Sequence, residues 1–261
     1  MKGDSGGGRW IEVSPVRFPG WIGDFGTRHG ATREAPLALA GSRAGGASGE
    51  ESVIFVAPDG ALARCHPPFP GYSEQIGLVA SEGASAIAAH ALAHRTVGVL
   101  LVRLGGYAVG VFTGSPSRLA SSKVGTRPVH GRSAAGGWSQ QRFARRRDNQ
   151  ASEALSAAAS AALDVWDGWA RGRSRSDNEG QGRGATSAGE PSPARPPGTG
   201  LDAVVLGGDK RAIAELRQDA RLAPYLDLAV ARFLTVPDPK LAVLADSPRL
   251  FLAVRIWLTE P

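Results

Sequence analysis

The sequence predicts one mixed α/β (α+β) domain, with a central mixed sheet that includes an antiparallel meander, flanking helices and a projecting glycine-rich loop. Three short apolar runs separated by turn residues occupy residues 97–124, as in adjacent antiparallel strands. Apolar side chains recur three or four positions apart across residues 141–170, which indicates one face of a long helix. Beyond residue 202, apolar runs alternate with helical segments, a pattern typical of α/β folds.

The composition indicates a soluble intracellular protein. The 261 residues suffice for one core or for one domain with long insertions. The 35 glycines and 18 prolines indicate that part of this length is loop or linker. Cys65 is the one cysteine and cannot form an internal disulfide, so a cytoplasmic location is expected. The apolar tracts resemble neither a signal peptide nor a membrane span, so no membrane partner is expected.

The first third of the chain carries weaker signals than the middle. Residues 1–8 are expected to form a flexible tail. The step from Phe18 through Trp21 to Phe25 has helical spacing. Residues 53–56 and 61–63 then predict two strands around an Asp-Gly turn, and an alanine-rich stretch predicts a helix over 83–94.

The meander is the clearest β signal in the sequence. Strands are predicted over 97–104, 107–113 and 118–124. A Gly-Gly pair joins the first two, and the run Gly-Ser-Pro-Ser joins the second to the third. Such short polar connections bring consecutive strands side by side, so these three strands are expected to form the body of the sheet.

A segment of different composition separates the long helix from the C-terminal elements. Residues 171–200 are rich in Arg, Gly, Ser and Pro and have almost no large apolar side chain, which predicts a disordered linker or insertion. Residues 9–170 and 201–261 would then form the one domain. The C-terminal part predicts a strand at 203–206, a helix at 210–218 capped by Asp209, an apolar run at 226–236, a short helix after Pro239 and a last strand near 250–258.

Positive charge is concentrated in one segment. The net charge is +6 and the isoelectric point is about 10.1. Residues 83–147 contain ten basic residues and no Asp or Glu, so the rest of the chain has a net charge of −4. The ten are Arg95, Arg103, Arg118, Lys123, Arg127, Arg132, Arg142, Arg145, Arg146 and Arg147. A surface of one sign attracts polyanions, which favours a nucleic-acid partner over a merely solvated basic face.

Within this basic segment, a glycine-rich loop lies between the third meander strand and the long helix. Its tip reads Gly136-Gly137-Trp138-Ser139-Gln140. Glycines allow positive φ angles and close approach to another molecule. A neutral amide such as that of Gln140 is a poor base and a poor nucleophile, but it can position a water and donate hydrogen bonds where charge develops. This chemistry suits a substrate that is already activated, such as an ester.

These residues resemble a known family. The run 123–149, above all Gly137-Trp138-Ser139-Gln140 followed by three arginines, resembles the bacterial branch of the Vms-like release factor family, peptidyl-tRNA hydrolases of ribosome quality control. Their catalytic domain is similar to the middle domain of eukaryotic and archaeal class one release factors. The resemblance covers most of residues 52–258 apart from the linker. The spacing Gly-x-x-Gln, in place of Gly-Gly-Gln, favours this branch over a stop-codon reader.

The resemblance implies roles for individual residues. Gln140 would be the catalytic glutamine, with its neighbour Gln141 as the alternative. The loop residues Gly136, Gly137, Trp138 and Ser139 would shape the site. RNA would be bound by Lys123, Arg127, Arg132, Arg142, Arg145, Arg146 and Arg147. The family further implies that the 2′-hydroxyl of the terminal tRNA adenosine assists, and that large-subunit ribosomal RNA completes the site. The expected partners are therefore the large ribosomal subunit and peptidyl-tRNA, with no metal or cofactor and a monomeric protein.

Several residues in and near the loop have a simpler alternative role. Trp138 either stacks on an RNA base or folds back as an apolar anchor of the loop. Ser139 is interpreted as a helix N-cap, since no obvious base lies near it in the sequence. The turn 207–210 favours tight packing over phosphate binding because it lacks the rest of a phosphate-loop motif. Cys65 is interpreted as a small buried apolar group.

Two other function classes share features with this hydrolase hypothesis. A metal-dependent nuclease needs clustered carboxylates, and the acid-free segment 83–147 offers none. A non-enzymatic factor that binds the ribosome or structured RNA would use the same basic residues, so it stays open as the alternative function. The two hypotheses differ in the role of Gln140: the hydrolase requires it for turnover but not for binding, whereas the binding factor has no turnover.

Overall fold

The computed structural model describes residues 7–35, 51–72, 83–103, 105–126, 139–180 and 198–261. Within its long helix, side chains are described from residue 152 to residue 173. The chain divides into two compact units. The first comprises residues 1–93 and 248–261, and the second comprises residues 94–247, so the second unit is inserted in the sequence of the first.

Each unit contains one five-stranded sheet. The strands are β1 (Gly8–Val13), β2 (Arg33–Ala35), β3 (Val53–Val56), β4 (Leu62–His66), β5 (Arg95–Arg103), β6 (Gly106–Gly114), β7 (Arg118–Thr126), β8 (Ala203–Gly208), β9 (Ala229–Leu234) and β10 (Val254–Thr259). The helices are α1 (Phe18–His29), α2 (Gly83–Leu92), α3 (Ser139–Gly180), α4 (Lys210–Leu216), α5 (Ala223–Leu226), α6 (Leu241–Asp246) and α7 (Pro248–Phe251).

The sheet of the first unit is antiparallel, in the order β1-β10-β4-β3-β2. Along β10 the even-numbered side chains are buried and the odd-numbered ones are partly exposed. This period of two places the core on one face of the sheet. Phe18 and Phe25 of α1 and Ile87 of α2 belong to the same buried cluster as Ile256 and Cys65, so both helices contribute to the core of that face.

The predicted hairpin is the connection between β3 and β4. The Ala57 amide donates to the Ala61 carbonyl at 2.9 Å, and the Ala61 amide donates to Oδ1 of Asp59 at the same distance. Gly60 has a φ of +94°, a conformation that favours glycine. The Asp-Gly turn therefore has the geometry that its sequence predicts.

The sheet of the second unit is mixed, in the order β7-β6-β5-β8-β9. The strands β5, β6 and β7 form the antiparallel meander, while β8 and β9 continue the sheet in parallel with β5. Eight of the nine residues of β5 are buried, which indicates that both faces of this central strand are covered. The predicted fold class and the meander are confirmed.

The helix α3 packs on one face of this sheet through the apolar stripe that its sequence predicts. Ala158, Ala162 and Trp166 are fully buried in the core cluster of the unit. Trp166 and Leu201 pack closely on Gly98: a Cβ there would lie 2.7 Å from Cδ1 of Leu201 and 3.1 Å from Nε1 of Trp166. Nε1 of Trp166 donates to the Gly110 carbonyl at 3.3 Å, which satisfies a buried polar group.

Some element boundaries differ from the predicted ones. The helix α3 continues to Gly180, so the first ten residues of the segment predicted as disordered, 171–180, are helical. A helix that is already nucleated gains one hydrogen bond for each added residue, even where the sequence is poor in apolar side chains. Residues 181–197 lie outside the described residues. The single domain over 9–170 and 201–261 stays a prediction.

The two ends of the first unit also differ from expectation. The strand β1 begins at Gly8, the last residue of the predicted tail, and its partner is β10. The last strand begins at Val254, and a helical turn, Pro248–Phe251, precedes it. None of the helices in the described part of the chain is long and apolar enough to cross a membrane.

Candidate functional site

The predicted catalytic loop lies between an edge strand and the start of the long helix. The strand β7 is at one edge of the second sheet and ends at Thr126, and α3 begins at Ser139. Five predicted site residues fall between these two points, outside the described residues: Arg127, Arg132, Gly136, Gly137 and Trp138.

The remaining predicted residues of this site are at the start of α3. Ser139 and Gln140 are its first two residues. Arg142, Arg145, Arg146 and Arg147 follow within the first three turns. Their backbone is helical, and their side chains lie outside the described residues. The first turn of a helix exposes free amide groups and the positive end of the helix dipole, which favours an anionic partner there.

An ion pair joins the strand before the loop to the helix after it. Nζ of Lys123 on β7 donates to Oδ2 of Asp164 on α3 at 2.8 Å. The hydrogen bond and charge of Asp164 raise the pKa of Lys123, so the ammonium form is favoured. The structure thus gives Lys123 a protein partner, and its predicted contact with RNA stays a prediction.

The end of β7 is shaped by an aromatic ring on the neighbouring strand. Tyr107 of β6 is the register partner of Gly125, one residue before the end of β7. A Cβ at Gly125 would lie 2.6 Å from Cε1 of Tyr107, so any larger residue would require the ring to shift. The last residues of the strand before the loop are therefore held by packing as well as by the ladder.

A second polar contact fixes the middle of the helix. Oη of Tyr225 on α5 donates a short hydrogen bond to Oδ1 of Asp167, and the Tyr225 ring packs against Trp166 with centroids 5.1 Å apart. Burial raises the pKa of the Tyr225 hydroxyl, and the bond to Asp167 raises it further. The phenol stays protonated at neutral pH and acts as the donor.

Sequence reasoning did not identify Asp164, Asp167 or Tyr225. A signal was available, since Asp164 and Asp167 are the two acidic residues between Glu153 and Asp177 of α3. Their partners lie on other elements, far away in the sequence, so the pairing could not be read from the chain.

The turn after β8 has the geometry of tight packing. Gly208 has a φ of +98°, and a Cβ there would lie 2.8 Å from the carbonyl carbon of Val102. The Asp209 amide donates to the Val102 carbonyl at 2.7 Å, and Oδ1 of Asp209 accepts from the Arg211 amide at 2.8 Å. Asp209 is the N-cap of α4, as predicted. Close contact with β5 explains the glycine without a bound phosphate.

Cys65 is fully buried among apolar side chains, and burial raises the pKa of its thiol. Among the described residues, no group of three or more His, Cys, Asp or Glu side chains is arranged so that it could hold a metal ion.

Comparison with known families decides the family of this site. A family profile described as the Actinobacteria/chloroflexi VLRF1 release factor matches residues 95–257, well over half of the chain. The protein belongs to the VLRF1 release-factor family. The matched VLRF1 region runs from β5 into β10 and includes the loop, Gln140 and the arginines at the start of α3. A search among curated proteins finds no match.

The VLRF1 match confirms the resemblance drawn from the glycine-rich loop and the arginine run. It covers nearly all of the second unit, whereas most of the first unit, up to residue 93, precedes it. Family membership connects this protein with translation and peptide release.

Proposed function

We propose that the protein hydrolyses the ester bond between a nascent peptide and its tRNA on stalled or obstructed large ribosomal subunits, in ribosome-associated quality control in the cytoplasm. The observation that carries this proposal is the position of the loop 127–138. It connects an edge strand to the first turn of α3 inside the region matched by a release-factor family. A loop between two packed elements is a suitable support for a group that enters another molecule.

In the proposed reaction, water attacks the carbonyl carbon of the ester. The bond between that carbon and the ribose oxygen breaks, the ribose oxygen takes a proton, and the peptide leaves with a new carboxylate. The amide of Gln140 orients the water and donates to the oxygen on which negative charge develops. Gly136 and Gly137 allow the backbone to approach the ester closely. Trp138 and Ser139 complete the loop.

The strand that leads into the loop is supported by contacts on two sides, and this favours catalysis by positioning. The Lys123–Asp164 ion pair and the packing of Tyr107 on Gly125 hold the strand side. The buried Trp166 and the contact between Asp167 and Tyr225 hold α3 against the sheet about 40 Å along the helix from Ser139. An enzyme that places a water gains most when the elements behind the loop do not move.

The arginines at the start of α3 are proposed to bind ribosomal RNA. Positions 142, 145 and 146 are three and four residues apart, so they share one side of the helix. Arg127, Arg132, Arg147 and Lys123 are near Gln140 in the sequence, and we propose that they contribute to the same RNA contact. Arginines on phosphates would fix how deeply the loop enters the ribosome without reading sequence.

Charge reversal tests this RNA contact. Arg145→Glu combined with Arg146→Glu is expected to abolish binding to large subunits and to flatten its dependence on salt. A matched control is Arg17→Glu with Arg28→Glu, which makes the same change in net charge at exposed positions before the VLRF1 region. Unchanged binding by the first variant, or an equal loss with the second, would contradict the RNA contact.

Peptide release tests the reaction itself. The wild-type protein is expected to release peptide from stalled large subunits that carry peptidyl-tRNA, and Gln140→Ala is expected to bind them without release. Binding without release by the wild type would instead support the alternative, a non-enzymatic factor that occupies the ribosome or a structured RNA.

A further inference from the structure

One face of the sheet in the first unit carries aromatic and cationic side chains side by side. The side chains of Trp10, Trp257, His66, Arg64 and Arg255 form this aromatic–basic face. It is the opposite face to the one that packs in the core with α1 and α2.

Strand register places these side chains in two adjacent rows. In one row Trp10 of β1 is opposite Trp257 of β10, which is opposite Arg64 of β4. In the next row Arg255 of β10 is opposite His66 of β4. Neighbouring strands are about 5 Å apart, so the aromatic and guanidinium groups of the two rows are close neighbours.

Trp10 contacts three of these side chains. Its ring centroid is 5.3 Å from that of Trp257 and 5.4 Å from that of His66. The guanidinium carbon of Arg255 is 4.2 Å from the Trp10 ring centroid. Even with these neighbours, 46% of the Trp10 residue is exposed to solvent. A partly fixed, half-exposed indole beside a stacked guanidinium is suited to bind a further flat ring.

Charge on this face favours a polyanion as the partner. Arg33 of β2 is on the same face, because its register partner is Val56, and it adds a third cation to Arg64 and Arg255. Glu12, opposite Arg255, is the one carboxylate among the described strand residues of this face. Three guanidinium groups with one carboxylate favour phosphate, and planar rings favour unstacked bases.

His66 contributes a neutral ring to this face. Burial, together with the positive charges of Arg255 and Arg64, lowers the pKa of His66 to about 4. The imidazole is therefore uncharged at neutral pH and supports Trp10 as a flat aromatic group.

We propose that the aromatic–basic face binds single-stranded RNA, with bases stacked on Trp10 and Trp257 and with phosphates held by Arg64 and Arg255. Single-stranded RNA exposes both groups at once, whereas a duplex hides its base faces. The binding site is distinct from the proposed catalytic loop, and Trp10, Arg64 and His66 precede the region matched by the VLRF1 family. The proposal does not depend on the release reaction.

The test uses the full chain with Arg145→Glu and Arg146→Glu, so that the arginines near the loop do not mask a second RNA site. The probe is a short, unstructured, uridine-rich RNA that contains 4-thiouridine. We expect a photochemical cross-link in the strand that contains Trp10 or in the strand that contains Trp257. In this background Trp10→Ala is expected to weaken binding roughly tenfold, because one stacked base is lost. Trp10→Phe is expected to bind within roughly twofold of its parent, because a flat ring remains.

A pair of arginines on different faces provides the control. Arg64→Ala is expected to weaken RNA binding, whereas Arg9→Ala is not, because Arg9 is exposed on the other side of β1 and pairs with Glu260 at 3.1 Å. Unchanged binding by both Trp10→Ala and Arg64→Ala would overturn the proposal. So would cross-links confined to residues outside β1, β4 and β10. If Trp10→Ala weakened binding to duplex RNA as much as binding to single-stranded RNA, base stacking on Trp10 would be contradicted.

Discussion

The two sheets differ in how their faces are used. In the second unit α3 places Trp166 against Gly98 on one face of the sheet, and α6 places Leu244 next to Gly110 on the other. In the first unit one face packs in the core with α1 and α2, while the other leaves Trp10 nearly half exposed. A large aromatic side chain thus contributes to folding in one sheet and is available to a ligand in the other.

Replacement of one tryptophan in each unit should show this difference most strongly. Trp166→Ala is expected to reduce the free energy of unfolding by about 4 kcal/mol, because a fully buried indole and its hydrogen bond are lost. Trp10→Ala is expected to cost about 1 kcal/mol or less, because much of the side chain already contacts water. Denaturant unfolding of both variants measures the difference. Equal losses in the free energy of unfolding would contradict the different roles assigned to the tryptophans of the two sheets.

A pH series sharpens the comparison within the first unit. In the folded protein the pKa of His66 is lowered to about 4 from its ordinary value of 6.5, so as the pH falls the unfolded chain takes up the proton before the folded chain does. The neutral His66 makes its full contribution to the free energy of unfolding above pH 6.5. This contribution is lost as the pH falls from 6.5 towards 4, and the free energy does not change further on account of His66 below pH 4. The expected loss is on the order of 2–3 kcal/mol, reduced for partial exposure.

His66→Gln isolates this contribution from that of the carboxylates, which titrate in the same range. The variant is expected to lose less stability than the wild type between pH 7 and pH 4.5 in chemical denaturation. Parallel pH profiles for the two proteins would show that His66 is as solvated as a free histidine.

The smallest expected effect on stability concerns the ion pair behind the loop. Lys123→Ala removes an exposed pair, so the denaturation midpoint should hardly change. Peptide release should nevertheless fall roughly fivefold, because the strand that carries the loop is less well fixed. Asp164→Ala is the matched variant, since it breaks the same contact and leaves Lys123 in place. A loss in Lys123→Ala alone would instead assign Lys123 to RNA binding.

Local patterns explain what the sequence predicted well. The meander depends on turns of two and four residues and on apolar runs, and all of these are read within one short stretch. The stripe with Ala158, Ala162 and Trp166 follows the helical period, so the buried side of α3 was also predictable. The edge position of β7, and with it the location of the loop, follows from this connectivity.

Features that depend on distant partners were not predicted. The strand β1 has little alternation of its own and is defined by β10 at the other end of the chain. The pairing of Lys123 with Asp164 and of Tyr225 with Asp167 likewise requires the folded structure. The aromatic–basic face combines residues from β1, β4 and β10, so no single segment could reveal it.

Single-turnover peptide release, at equal ribosome occupancy, tests the central claim most directly. The comparison is between wild type, Gln140→Ala and Gln141→Ala, on stalled large subunits that carry peptidyl-tRNA. The account predicts that Gln140→Ala lowers the release rate about 100-fold with binding unchanged, because one positioned amide is lost in the transition state, and that Gln141→Ala releases peptide almost as fast as the wild type. Equal release by all three proteins, or release by none, would contradict it.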